Sequence, residues 1–241
     1  MENKLEYITN KVLAERLLEA FSEHLRIIYD DKKLINWAVQ VLQMGYENDD
    51  LYILAGADND TTEEQEKYFW KILADLKIEV KSDDELIDFY AIDIAQKVVN
   101  KEIDIDVALN KMLGIVSATD YDNRYFAFYT INEDLDLLRC NNLSVGIDGL
   151  TLDNYKKYMF KEFELFLETR KLKIPEEDLN KFYCSKCKKF VREKLKKKFQ
   201  LKKPYQHYIY ICEICGSKNL LYPRNHSTLK LLIEKYRQFE N

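Results

Sequence analysis

The sequence predicts a mainly α fold: an antiparallel helical array, then a small β module, then a C-terminal helix. Three observations carry that expectation. Between residues 11 and 140 apolar side chains recur at intervals of three and four in run after run, as in helices that bury one face. Only 3 Pro and 6 Gly interrupt 241 residues, so connections are short and long flexible linkers are not expected. Beyond residue 180 the pattern changes to alternation around two Cys-x-x-Cys pairs, Cys184/Cys187 and Cys212/Cys215, the mark of a small metal-held module.

The first apolar stripe is Leu17, Leu18, Phe21, Leu25 and Ile28, with His24 as a partly buried structural residue. Leu34, Ile35, Ala38, Val41 and Leu42 form the second, and Tyr68, Phe69, Ile72, Leu73 and Leu76 the third. Ile87 to Val98 and Ile105 to Val116 repeat the pattern. Asp31 is placed to cap the second helix, while Thr61 with Glu64 and Ser82 with Glu85 have capping-box spacing. The aromatic run Tyr125–Ile131 fits a buried strand or a helix by periodicity, and helix is the expectation. Ser144–Gly149 reads as a turn, and Leu152, Tyr155, Met159, Phe163 and Phe166 define a further helix that ends before Pro175. His207–Ile211 and Asn219–Tyr222 read as strands, and a closing helix capped by Ser227 carries Leu229, Leu232, Ile233 and Tyr236 on one face.

Three domains follow: an acidic α-helical domain at 1–143, a connecting helix and linker at 144–180, and a basic domain with its closing helix at 181–241. Net charge is −5, which hides a division. Residues 181–241 hold sixteen Lys and Arg against four Glu, a net of +12, so the first 180 residues carry −17. The opening segment has no apolar stretch after a basic start, and no run approaches the length of a membrane span. The expectation is a cytoplasmic protein without a membrane partner.

Four cysteines in two pairs, with Cys140 left over, are an awkward set for an exported chain and an ordinary one for a thiolate metal site in a reducing compartment. Each tight Cys-x-x-Cys turn lets both sulfurs face one point, and four thiolates favour tetrahedral zinc. The ligand set is therefore Cys184, Cys187, Cys212 and Cys215 around one structural zinc ion, with Gly216 supplying the positive φ beyond the second pair. An iron site takes the same ligands, and a dithiol redox motif or unliganded cysteines are the competing readings. A catalytic zinc would keep an open position, which four thiolates close, and His207 and His226 lack ligand-like spacing.

This portion, about residues 181–222, resembles a zinc ribbon through those four cysteines. The resemblance implies two knuckles on hairpins and a role in nucleic-acid binding, protein docking or structural stapling.

The basic 186–203 segment raises the question of phosphate contact. Val191, Leu195 and Phe199 at intervals of four fit a short helix with a lysine-covered back, and a hairpin arm is the alternative. Lys194, Lys196, Lys197, Lys198, Lys202 and Lys203 are the candidate nucleic-acid-binding residues, with Phe190, Phe199, Tyr205, Tyr208 and Tyr210 available to stack on bases. The competing readings are a solvated lysine face, or a basic part that docks on the chain's own acidic part.

No catalytic constellation is present: the acidic groups Glu133/Asp134/Asp136, Asp104/Asp106 and Asp120/Asp122 have no histidine or lysine at metal or nuclease spacing. No small-molecule substrate is inferred. The helical part, through Trp37, Gly45, Tyr46, Leu51, Leu54 and Ala55, resembles small all-helical bacterial immunity-type proteins. That resemblance implies an immunity or defence role in which the acidic helical surface engages a protein partner, and with the cysteine site the expected function is that of a non-enzymatic zinc-containing binding protein. The alternative is a zinc-ribbon nucleic-acid-binding protein.

Overall fold

A computed structural model of the chain describes residues 2–22, 32–141, 146–147 and 149–240. Among them the chain is mainly α, with small antiparallel sheets and a C-terminal helix. It forms two compact units, Met1–Ile94 with Asn110–Asp122, and Ala95–Leu109 with Asn123–Asn241.

The first unit holds α1 (Glu2–Ser22), α2 (Lys33–Gln43), α3 (Asp49–Ala55), α4 (Thr62–Asp75), most of α5 (Asp83–Val99) and most of α6 (Ile105–Ala118). Its centre is Trp37, fully buried on α2, whose indole N–H donates to Thr9 Oγ1 at 3.0 Å and whose ring meets Phe69 edge-on at 4.7 Å. A buried indole without a partner would cost one to several kcal/mol, so Thr9 makes an all-apolar surrounding tolerable. Both capping boxes form: Thr61 and Glu64, like Ser82 and Glu85, exchange side-chain and backbone bonds at 2.7–3.4 Å. The expected cap at Asp31 and the histidine His24 lie outside the described residues.

The second unit begins its core with α7 (Phe126–Asn141) and α8 (Tyr155–Lys171), so the aromatic run at 125–131 opens a helix. The Phe128 and Phe163 rings meet at 4.8 Å inside it, tilted by 39°. The acidic groups noted in the sequence serve structure here. Buried Asp134 accepts the backbone N–H groups of Gly146 at 3.0 Å and Ile147 at 2.6 Å, and Lys156 pairs with Asp104 and Asp106 at 3.3 and 3.0 Å.

After α9 (Glu176–Leu179) come β1 (Phe182–Cys184), β2 (Lys189–Val191), β3 (Glu193–Phe199), β4 (Gln206–Cys212), β5 (Leu220–Leu221) and α10 (His226–Glu240). One sheet has the order β2-β1-β5 and the other pairs β3 with β4, all antiparallel. The short helix envisaged through Leu195 and Phe199 is a strand. An interval of four is an even number, so it fits one face of a strand as well as one face of a helix, and β4 supplies the partner that makes the strand win. Ser227 is not the cap of α10: the first helical bond runs from Leu229 N–H to the Asn225 carbonyl at 2.9 Å, which places Ser227 inside the first turn. Packing of α10 on α8 rests on Leu229, Leu232 and Ile233 against Leu165, Leu172 and Ile174.

Candidate metal centre

Two turns of the same construction bring the cysteines together. In the first, Lys188 N–H donates to the Cys184 carbonyl at 2.8 Å and Lys188 has φ +54; in the second, Gly216 N–H donates to the Cys212 carbonyl at 2.9 Å and Gly216 has φ +67. Each chain thus reverses just past its second cysteine and turns both sulfurs inward. Ser185 N–H reaches the Asn219 carbonyl at 3.0 Å and so ties the first turn to the segment after the second, while Cys212 N–H closes the second turn on the Ser217 carbonyl at 2.8 Å. Lys188 in this conformation was not legible in the sequence, because lysine gives no sign of a left-handed backbone as glycine does.

The four Sγ atoms lie within 4.8 Å of one another, with Cys184–Cys215 at 3.6 Å and Cys187–Cys212 at 3.7 Å. Four sulfurs about 2.3 Å from a central ion stand about 3.8 Å apart at the corners of a tetrahedron, so the donor set fits one tetrahedral metal ion. Cys184 and Cys212 are buried with Phe182 and Val191 in a small apolar cluster, and Cys187 and Cys215 are partly exposed at its edge.

Without a cation the sulfurs compete for charge. Burial opposes ionisation of Cys184, but the amides of Cys187 and Lys186 and the neighbouring thiols donate to it, and its thiol falls to about 6. Cys187 is pushed up to about 12 by burial and by its hydrogen bonds to Cys184 and Cys212. One thiolate forms readily and penalises the next; a bound cation removes that penalty, so metal binding would release protons. Cys140 is an exposed free thiol on α7 and takes no part in the cluster.

Beyond the cysteines, β3 and β4 project as a two-stranded arm with two unlike faces. Direct partners point the same way, so Lys194, Lys196 and Lys198 share a face with Ile211, Ile209 and His207. Leu195, Lys197 and Phe199 share the other with Tyr210, Tyr208 and Gln206. Of the six candidate lysines, then, three lie together, Lys197 lies opposite, and Lys202 and Lys203 occupy the exposed turn. Lys218 joins the first face. Its ammonium beside Lys198 holds the Lys198 amine below the usual range, with Lys196 adding to the effect. Lys218 follows the second knuckle and shares no periodicity with β3, so nothing in the sequence linked the two. Among the described residues no carboxylate comes within ion-pair distance of Lys194, Lys196, Lys197, Lys198, Lys202, Lys203 or Lys218.

No helix among the described residues is long and apolar enough to cross a membrane. Compared with family models, curated proteins and solved structures, the chain matches none.

Proposed function

We propose that the chain is a non-enzymatic zinc-containing protein that binds nucleic acid through the β3–β4 arm, the zinc serving as a structural staple at the arm's base. The observation that carries this reading is the lysine face. Lys194, Lys196 and Lys198, with Lys218 beside them, stand on one side of a projecting hairpin with no carboxylate to neutralise them among the described residues. Like charges gathered this closely repel, and a row of phosphates relieves the repulsion while releasing counterions. Zinc is the ion of choice because four thiolates at near-tetrahedral separations close the shell. A reducing, cytoplasmic setting keeps all four thiols available.

The test is a salt series with the full metal-loaded chain and a labelled oligonucleotide. Affinity should fall linearly on a log–log plot, by about 0.7–0.9 in slope per phosphate contact. Lys194→Glu, Lys196→Glu and Lys198→Glu together should flatten it. Absence of retention at about 50 mM salt, where phosphate attraction is strong, would remove the reading. Metal analysis of a reducing preparation should find one equivalent of zinc, and well under one would reject the staple.

A second reading keeps the acidic helical part as a surface for a protein partner of immunity or defence type. Exposed Tyr52 and Ile53 on α3 and Trp70 on α4, set among acidic residues, favour it. A one-to-one complex with a basic protein, weakened by Trp70→Ala, is its signature.

A further inference from the structure

The other face of the arm is exposed over most of its length. Leu201 at the turn is 99% exposed, Phe199 73%, Tyr208 64% and Leu195 54%. Only the inner end of this row is engaged: the Tyr210 ring meets Phe182 at 5.4 Å and Tyr222 at 6.3 Å. From Tyr210 the row runs outward through Tyr208 to Phe199, its diagonal neighbour across the strands, with Leu201 exposed in the turn beyond. A contiguous apolar row of this kind marks a contact surface.

Its charge setting selects the occupant. Lys197 stands within the row with its ammonium 5.4 Å from the Phe199 ring, Lys202 and Lys203 flank the tip, and Lys194, Lys196 and Lys198 cover the back. A second copy of the arm would bring these uncompensated charges against their equals. A ligand with flat apolar surfaces and regularly spaced negative charges satisfies both sets of groups at once.

We infer that this face binds single-stranded nucleic acid, with unpaired bases stacked on Tyr208 and Phe199 and the phosphates met by Lys197, Lys202 and Lys203. Diagonal neighbours such as Tyr208 and Phe199 lie roughly 7–8 Å apart across the strands, a gap that one extended nucleotide spans. A duplex keeps its base faces stacked internally and can offer this row nothing but its backbone. The inference rests on the nucleic-acid reading above and adds the class of nucleic acid to it.

The experiment measures the affinity of the full metal-loaded chain for a labelled oligothymidylate and for a duplex of equal length, in the wild type and in Phe199→Ala/Tyr208→Ala. Both side chains are exposed, so the variant keeps its fold, which circular dichroism and zinc content verify. The wild type should favour the single strand. Each aromatic removed should weaken single-strand binding between about fivefold and a hundredfold, leaving the salt slope and the duplex affinity unchanged. Equal wild-type affinities, or an equal loss on both ligands, would overturn the inference while leaving phosphate contact by the lysines intact. No binding of either ligand would overturn both. A dimer that the double variant dissolves, with single-strand affinity unchanged, would assign the face to self-association and overturn the inference.

Discussion

Lys188 and Gly216 occupy the same place in the two knuckles and share a left-handed backbone, at φ +54 and +67. An L side chain in that conformation costs about 1–2 kcal/mol, so the first knuckle carries strain that the second avoids. A Cβ at Gly216 would meet no atom within 4 Å, which leaves the backbone as the only source of cost. Gly216→Ala should therefore weaken metal retention by about 1 kcal/mol, roughly fivefold, in competition with a chelating dye. Lys188→Gly should stay within about 0.5 kcal/mol of neutral, since relief of strain is offset by the greater freedom of glycine in the unfolded chain. A tenfold loss in Lys188→Gly would mean that the lysine side chain itself supports the turn. Asp134 carries a similar lesson: it reads as one of a loose acidic group, yet it is buried and spent on two backbone amides.

At the scale of elements, α10 is joined to its unit by the apolar contacts with α8 and by polar ties at both ends. His226 Nε2 lies 2.9 Å from Glu162 while its ring stacks on Tyr158 at 4.0 Å, and Arg237 pairs with Glu168 at 2.5 Å. Beside Arg237, Tyr236 donates its hydroxyl to Asp178 at 2.5 Å, and Lys181 pairs with the same carboxylate. Burial works to raise the Asp178 carboxyl, but the hydrogen bonds from Lys181 and Tyr236 outweigh it and hold the group below the usual carboxylate range. A carboxyl lowered by folding stabilises the native state above its unfolded value and loses that contribution as pH falls through the folded one. Acid should therefore loosen α10 only below the ordinary aspartate value of about 3.9, as pH falls towards the lowered value of the folded group. Asp178→Asn should flatten this part of the acid limb, read as the thermal midpoint against pH. An unchanged limb would show that Asp178 contributes nothing to it. At the same scale β3 shows why its class was open: Leu195 and Phe199 are four apart, an interval that both periods satisfy.

For the whole molecule, the metal centre and the helices separate in their dependence on the ion. Among the described residues the apolar cluster of the cysteine module is small, Phe182, Val191, Leu220 and the sulfurs themselves, so a bound ion would supply a large part of its folding free energy. The clusters on α2, α4 and α8 do not involve the sulfurs. A strong chelator should open residues 181–222 to protease while most far-ultraviolet helical signal persists, and Cys140→Ala should leave metal content at one equivalent. Collapse of the helical signal on chelation would contradict this separation. The helices and the cysteine cluster were determined by the sequence itself, because apolar periodicity, capping boxes and Cys-x-x-Cys spacing are local properties of the chain. Only the tertiary structure decided that Glu193–Phe199 is a strand, that Lys194, Lys196 and Lys198 face away from Lys197, and that Lys218 joins them. The reason is physical: a strand's existence and register depend on a partner distant in sequence, and a one-residue slip would exchange every side chain between the two faces.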